Sequence, residues 1–238
     1  MKKNSNKRIA ILTSIIGSEL ELLDPPIIFE NASYFAFVDR EHDVKHWNQI
    51  DAFNFSCDSQ FRCRRNAKIY KILPNLFLPD FDYYIWIDGT HAVMKDPGII
   101  IDEFLSKSDI ALFRHGFRNC IYEEAEIVLK YGYDYPELIS NQIKFYLKKN
   151  YPINNGLYEM SAFIRKNTRD IFRLNLMWWE QICKFSSRDQ ISLPFVLKEC
   201  NIIPAIIPGR VNDPEAYKTN NPVTNDILRQ MRFSYHKR

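Results

Sequence analysis

The chain has 238 residues and carries 32 lysines and arginines against 29 aspartates and glutamates, a formal net charge of +3. This charge is too small to favour nucleic acid as a partner, and no apolar run reaches the roughly 18 residues of a membrane span. The five cysteines form no C-x-x-C pair. They predict neither a disulfide framework nor a zinc site, and we interpret them as reduced thiols of a cytoplasmic protein.

Short apolar runs with turn residues on their flanks predict about six strands. These runs are 8–16, 33–39, 82–88, 109–115, 157–165 and 202–207. The first run follows a basic start, as the apolar part of a signal peptide would. However, it lacks an A-x-A-like cleavage site and is rich in isoleucine, so we predict a buried strand there.

Helical patterns lie between the strands. Residues 66–77 predict a short helix broken before Pro74, residues 120–132 predict a second helix, and Thr168 is the predicted N-cap of a third. The apolar faces are Ile121, Ala125, Val128 and Leu129 in the second helix, and Ile171, Leu174, Trp178 and Ile182 in the third. The alternation predicts one α/β domain with a mostly parallel central sheet flanked by helices, followed by a looser basic tail at about 209–238.

The third strand ends at Asp88, in the stretch IWIDGTH. Phosphatases with a D-x-D-G-T motif carry their nucleophile two residues earlier, where this chain has Trp86, which cannot attack phosphorus. The flanking aromatic residues would partly desolvate the carboxylate, so it needs a cation, a metal or a hydroxyl group as partner. Because ligands bind at the carboxyl ends of strands in open α/β sheets, we predict a binding role for Asp88 and Gly89 over simple capping of a turn.

A metal ion at this point would have few ligands from the protein. The position two after Asp88 is Thr90, which is not a carboxylate, and His91 is the nearest alternative ligand. Diphosphate oxygens and water could complete an octahedron around Mn²⁺ or Mg²⁺. Asp88 and His91 are therefore candidate metal ligands, and metal dependence stays open.

A basic cluster precedes the Asp88 strand. It contains Arg64, Arg65, Lys68 and Lys71. Helical spacing allows Arg64 or Arg65 to share a face with Lys68, and two cations on one face could clamp a diphosphate. The alternative is a solvated basic face.

The fourth strand is followed by a second group of polar residues. His115 and Arg118 could contact phosphate, while Glu123 or Glu124 could hold acceptor hydroxyls or act as a general base. Alternatively, the two glutamates are acids in the first turn of a helix, which the helix dipole favours.

The segment SSRDQISLPF offers a third group. Ser187 and Gln190 fit a capping box that would place Asp189 at a helix N-terminus, but Pro194 would then fall inside the helix. Either the helix kinks at Pro194, or it starts later and leaves Asp189 and Gln190 in a loop, free to face a sugar.

Together, RRNAKIYKILPNLFLPDFDYYIWIDGTHAVMKDP, HGFRNCIYEEAE and RDQISLPFVL resemble the glycosyltransferase-like domain of plant seed-mucilage proteins and their bacterial and viral relatives. The resemblance covers residues 64–197 and implies the GT-A fold and a transferase that uses a nucleotide-diphosphate sugar. A UDP-sugar is the expected donor, and a polysaccharide or lipopolysaccharide is the expected acceptor. It further implies that Asp88 lies near the donor diphosphate and that Arg65 and Lys68 lie near phosphate or ribose. Asp189 and Gln190 would lie near the anomeric carbon.

Two other functions remain open from the sequence. One plant member of the family has been described as a ceramidase, so a hydrolase of amide or glycosidic bonds is an alternative, although the chain has neither a G-x-S-x-G elbow nor a zinc motif. A non-catalytic nucleotide- or glycan-binding module is the other. The expected location is cytoplasmic, with peripheral membrane contact through the basic C-terminal residues as a further expectation.

Overall fold

The computed structural model describes residues 7–53, 55, 61–211 and 225–231. The strands are β1 Ile9–Ile15, β2 Ser33–Val38, β3 Asn48–Asp51, β4 Tyr83–Ile87, β5 His91–Val93, β6 Ile110–Arg114, β7 Tyr158–Lys166, β8 Ala205–Ile207 and β9 Leu228–Gln230. Seven of them form a central sheet in the order β3-β2-β1-β4-β7-β6-β8, and β5 pairs with β9 in a separate ribbon. All six predicted strands are present, whereas β3, β5 and β9 are additional to the prediction.

The central sheet is mostly parallel, as predicted. Strands β1 to β4, β6 and β8 run in one direction through the parallel pairs β1–β2, β2–β3, β1–β4 and β6–β8. Only β7 is antiparallel, to both of its neighbours β4 and β6. The carboxyl ends of β1, β4 and β6 therefore lie at one edge of the sheet, together with the start of β7.

The strands alternate between two cores, as a period of two residues requires. In β4, Tyr84 and Trp86 pack into the core beneath the larger helical layer, whereas Ile85 and Ile87 pack into the core on the opposite face. This burial on both faces leaves the carboxyl edge of the sheet as the place where polar side chains reach solvent.

Six helices cover the sheet. They are α1 Arg62–Ile72, α2 Pro97–Phe104, α3 Ile121–Lys130, α4 Pro136–Lys148, α5 Arg169–Lys184 and α6 Asp189–Glu199. The prediction missed α2 and α4, although each has proline at its first position, a known start signal. The N-cap prediction for Thr168 is confirmed, since its side chain accepts from the Ile171 N–H, but Leu129 is 36% exposed and does not belong to the buried face of α3.

Helix α6 has Asp189 at its N-terminus, as the first alternative placed it, but without the predicted cap. It begins at Asp189, and Arg188 precedes it without a side-chain cap. The predicted capping box is therefore wrong, and so is the loop alternative for Asp189. Pro194 lies inside the helix, where it removes one backbone hydrogen bond. The helix continues because residues 191–197 are all buried against the surrounding elements.

The C-terminal region is described only in part. Residues 225–231 include β9, whose Leu228 is buried and pairs with Val93 of β5. The rest of the predicted basic tail, residues 212–224 and 232–238, lies outside the described residues. In the part of the chain that the structure describes, no helix combines the length and apolar character needed to cross a membrane.

Candidate functional site

A cavity of about 560 Å³ opens at the carboxyl edge of the sheet, where β1 and β4 end. Its lining comes from the ends of these two strands, one side of α1 and the turn before α6. The residues are Ser14, Ile15, Ile16, Gly17, Ser18, Leu20, Phe61, Cys63, Arg64, Ala67, Lys68, Asp88, Gly89, Thr90, Ser187 and Arg188. The sequence-predicted residues Arg64, Lys68, Asp88 and Gly89 are thus brought together in one place.

Two glycines allow the strand ends to form this cavity. Gly17 has φ +61°, and a Cβ there would lie 2.1 Å from Cys63 Sγ. A Cβ on Gly89 would lie 2.9 Å from the side chain of Ile15. Both turns therefore need glycine to approach their neighbours so closely.

Asp88 stands at the rim between the buried sheet and the cavity. Its side chain is 45% exposed, although the strand before it is buried. Its Oδ1 accepts a hydrogen bond from Trp86 Nε1 at 2.9 Å and lies 3.8 Å from Lys71 Nζ. Its backbone N–H donates to the Ser161 carbonyl at 2.7 Å, so the neighbouring strand β7 fixes its position.

Asp189 lies behind this rim and is paired with two lysines of α1. Its Oδ2 is 2.7 Å from Lys68 Nζ and 2.7 Å from Lys71 Nζ. The spacing of three residues places both ammonium groups on one face of α1. Lys71 therefore contacts both predicted carboxylates, Asp88 and Asp189, and links the end of β4 to the start of α6.

The close pairing and the burial shift the pKa values of Asp189 and Lys68. Burial raises the pKa of the Asp189 carboxyl, but the charges of Lys68 and Lys71 outweigh burial, so the net pKa is lowered. Burial is the main cause that lowers the pKa of Lys68 to about 8, against the opposing charge of Asp189. Asp189 therefore stays ionised at neutral pH, and Lys68 loses its proton within the accessible pH range.

Sequence reasoning assigned no role to Lys71 and overlooked Arg165. Lys71 is 2% exposed, donates to the Met160 carbonyl and lies 5.4 Å from the ring centre of Trp86. Arg165, on β7, is also fully buried, and it donates to the Lys71 carbonyl and to Asn175 Oδ1. The spacing of Lys71 from Lys68 was the available sequence signal, whereas nothing local marks Arg165.

The two arginines of the basic cluster take different positions. Arg65 donates to the Ile182 and Phe185 carbonyls at the end of α5, and it is not part of the cavity lining. Arg64 lines the cavity and donates to the Tyr133 carbonyl. The structure therefore brings Arg64 and Lys68 to the cavity and leaves Arg65 at the helix end.

Arg188, which sequence reasoning did not select, also lines the cavity. It lies in the turn before α6, with its guanidinium 5.3 Å from the ring centre of Tyr133. The preceding Ser187 donates its hydroxyl to Asp134 Oδ2 at 2.7 Å. Asp134 also accepts from the Ser187 N–H at 2.7 Å, so this buried carboxylate holds the turn that presents Arg188.

A second ionic cluster lies at the end of β6. Arg118 is 2.7 Å from the buried Glu124 carboxylate, and His115 Nε2 is 3.8 Å from Glu159. None of these side chains lines the cavity of Asp88. Glu123 is exposed on the first turn of α3, so neither predicted glutamate is brought to that cavity.

His115 holds the loop that follows β6 in place through hydrogen bonds. Its Nδ1 accepts from the backbone N–H groups of Phe117 and Arg118 at 3.2 and 3.0 Å. Burial, with a smaller contribution from the Arg118 charge, lowers the pKa of His115 to about 4. The ring is therefore neutral at physiological pH and supplies no positive charge for a phosphate.

His91, the other candidate metal ligand, lies on β5 and is buried. Its Nδ1 is 3.1 Å from Thr90 Oγ1, and burial is the main cause that lowers its pKa. The ring is not part of the cavity lining. Within residues 7–53, 55, 61–211 and 225–231, no cluster of three or more His, Cys, Asp or Glu side chains could hold a metal ion.

A smaller cavity of about 170 Å³ adjoins the first and shares Ile16, Gly17 and Cys63 with it. Asp39, Phe53 and Asn66 are among its other lining residues. Asp39 lies just after β2, and its Oδ2 accepts from the Gly17 N–H at 2.6 Å. A ligand longer than a single phosphate group could therefore extend along the carboxyl ends of β4, β1 and β2.

Known proteins match much of this chain. Residues 30–207, about three quarters of its length, match the family described as TOD1/MUCI70, glycosyltransferase-like domain. The chain is also 29% identical over 143 residues to an Arabidopsis thaliana protein named "Probable hexosyltransferase MUCI70". That alignment covers 56% of this chain and 25% of the relative, so the chain spans about a quarter of the relative's length.

Proposed function

The chain belongs to the TOD1/MUCI70 glycosyltransferase-like domain family, and from this premise we propose that it transfers a hexosyl group from a nucleotide-diphosphate sugar to a glycan acceptor. UDP is the nucleotide that we expect. The observation that carries the proposal is the cavity beside Asp88, in which Arg64, Lys68 and Arg188 surround the end of β4. Cations at the carboxyl edge of an α/β sheet suit a diphosphate.

The reaction breaks the bond between the anomeric carbon and the diphosphate oxygen, and it forms a bond to an acceptor hydroxyl oxygen, whose proton passes to the leaving diphosphate or to water. The leaving diphosphate gains negative charge as this bond breaks. Preorganised cations stabilise such charge without having to reorient during the reaction. Lys68 and Arg188 are placed for this task, because Asp189 fixes the first and the turn held by Asp134 presents the second.

Asp88 would act on the sugar side of the same bond. The transition state resembles an oxocarbenium ion, which a nearby negative charge stabilises. Asp88 is the exposed carboxylate at the cavity rim, and we assign it to the donor. Asp189 holds both lysines, and Gln190, in the first turn of α6, is the candidate for contact with the donor sugar.

The smaller neighbouring cavity is our candidate for the nucleoside. Phe53 offers an aromatic side chain that is 52% exposed, and Asp39 offers a carboxylate that could accept from ribose hydroxyls. Both line the space next to Gly17. Aromatic rings bind nucleobases by stacking, which contributes about 1–3 kcal/mol per base.

The test is a turnover assay with UDP-, GDP- and ADP-sugars in the presence and absence of glycan acceptors. Sugar transfer that depends on one nucleotide sugar supports the proposal. Product formed from amide or glycosidic substrates without any nucleotide sugar would replace it with the hydrolase alternative. Nucleotide binding without turnover of any donor would instead leave a binding module.

A further inference from the structure

Several cations surround Asp88 before any metal ion is considered. Arg64, Lys68 and Arg188 line the cavity, and Lys71 contacts both carboxylates from below. Among the described residues, four cations and the two carboxylates Asp88 and Asp189 thus lie in or directly beneath this cavity. A nucleotide-diphosphate sugar carries two negative charges, and the protein's own side chains offer it cations.

Lys71 places a positive charge beside Asp88 from beneath the cavity. Its ammonium group is 3.8 Å from Asp88 Oδ1 and 2.7 Å from Asp189 Oδ2. The Met160 carbonyl accepts a hydrogen bond from it, and the rings of Trp86 and Phe163 lie 5.4 and 5.8 Å away. Such partners stabilise a buried ammonium group in a fixed position.

A divalent cation fits this arrangement poorly. It would share Asp88 with an ammonium group that is already beside the carboxylate, and like charges at this distance repel. The position two residues later is Thr90, whose hydroxyl is 3.1 Å from the ring of His91. His91 itself is buried on β5 and outside the cavity lining, so Asp88 would be the main protein ligand.

We propose that this site binds the donor diphosphate with its own cations and without a divalent metal ion, and that Lys71 is the positioning residue that takes the metal's electrostatic role at Asp88. This inference rests on the proposed function, because it concerns the same donor cavity. It also accounts for the burial of a lysine that has no contact with solvent, since the ammonium group is needed beneath the cavity.

The first experiment titrates the wild-type chain with UDP, GDP and ADP by calorimetry, once in EDTA and once in MnCl₂. We expect one nucleotide to bind in EDTA, with a dissociation constant that Mn²⁺ changes by less than about threefold. Binding that requires Mn²⁺, or that Mn²⁺ strengthens by more than about tenfold, would overturn the inference but leave the proposed function intact. Absence of binding in both conditions would overturn the proposed function itself.

The second experiment separates the charge of Lys71 from its packing. Lys71→Met keeps much of the side-chain volume and removes the ammonium group, so binding in EDTA should weaken by about tenfold or more. Mn²⁺ should then restore part of the affinity, because Asp88 has lost its competing cation. Lys95→Met, which removes a lysine from the exposed pair with Glu103, is the matched control and should show neither effect.

Rescue by Mn²⁺ is a readout that a purely structural role for Lys71 would not produce. Undiminished binding of Lys71→Met in EDTA would contradict the role of Lys71. If the variant does not fold, the comparison of EDTA and Mn²⁺ on the wild type still decides the inference.

Discussion

Two clusters of buried ionic side chains lie at the same edge of the sheet, yet only one of them opens into the large cavity. The first joins Lys68 and Lys71 to Asp189 and Asp88 at the ends of β1 and β4. The second joins Arg118 to Glu124 at the end of β6. Both contain a nearly buried carboxylate, since the side chains of Asp189 and Glu124 are 5% and 4% exposed.

The difference lies in what each cluster holds. The second cluster fastens the loop after β6, because Arg118 and His115 bind groups within that loop and the adjacent helix. The first cluster joins α1, β4 and α6 beneath a space of about 560 Å³ that is lined by further cations. Buried charge by itself therefore does not distinguish the two clusters, whereas the positively charged cavity above the first cluster does.

The largest expected effect comes from removing the shared carboxylate of the first cluster. Asp189→Asn removes the carboxylate that two lysines share at 2.7 Å, one of them nearly fully buried, so the free energy of unfolding should fall by about 3–5 kcal/mol. Urea denaturation measures this change. Glu103→Gln, in an exposed pair with Lys95, should cost no more than about 1 kcal/mol. Where the variant stays folded, its turnover number should fall more than its donor affinity, and an unchanged turnover number would reduce Asp189 to a structural role.

Asp88→Asn is expected to separate activity from stability. The side chain is 45% exposed, so the protein should stay folded, while sugar transfer should fall by about 100-fold or more because the donor loses a preorganised charge. Asp82 is the matched control, since it lies at the opposite end of β4 and is 41% exposed in a pair with Arg8. The steady-state transfer rates of Asp88→Asn and Asp82→Asn test this prediction. Equal rates in the two variants would show that Asp88 has no role in sugar transfer.

We expect the affinity for the donor to depend on pH through the charge of Lys68. Because its pKa is lowered to about 8, the ammonium group is charged below pH 8 and neutral above it, in a setting that also contains Asp189, Lys71 and Asp88. Affinity for a nucleoside diphosphate should therefore fall as pH rises, by about tenfold between pH 7 and pH 9. Calorimetric titration across this range measures the change. Lys68→Arg, which stays charged, should flatten the profile, and an identical decline in that variant would assign the titration to another group.

A substitution in the second cluster is expected to have the smallest effect on donor binding. Arg118→Met should lower the free energy of unfolding by about 1–2 kcal/mol, because it leaves Glu124 without its charged hydrogen bonds. The dissociation constant of the nucleotide should stay within about twofold of the wild type. A clear loss of donor affinity would restore His115 and Arg118 to the donor site, as the sequence had indicated.

The sequence predicted the elements that local patterns specify. Apolar runs with turn residues marked the ends of β4 and β6, and this was enough to place Asp88 at the carboxyl edge of a mostly parallel sheet. The antiparallel direction of β7 could not be read, because a short apolar run such as 157–165 looks the same in either direction. Helices α2 and α4 were readable in principle from Pro97 and Pro136.

The candidate site was only partly predictable, because its central contacts join distant segments. Lys71 and Asp189 meet between α1 and α6, and a lysine on an amphipathic helix is ordinarily expected on the solvent face. The capping box failed for a similar reason, since Asp134 takes the Ser187 hydroxyl. In both cases, a partner from a distant segment of the chain decides where the side chain lies, although the local sequence pattern favours another position.

Thermal denaturation with nucleotides tests the central claim, that the cavity beside Asp88 binds the donor diphosphate, most directly. Wild type, Lys68→Met and Lys95→Met would each be heated with UDP, GDP, ADP and their sugars. A ligand at 100 times its dissociation constant stabilises the fold by about 2.7 kcal/mol. We predict that one nucleotide raises the melting temperature of wild type and of Lys95→Met, in which only an exposed pair is lost, and that the rise is clearly smaller in Lys68→Met, which lacks a cation of the cavity lining. Equal shifts in all three proteins, or no shift with any nucleotide, would contradict the claim.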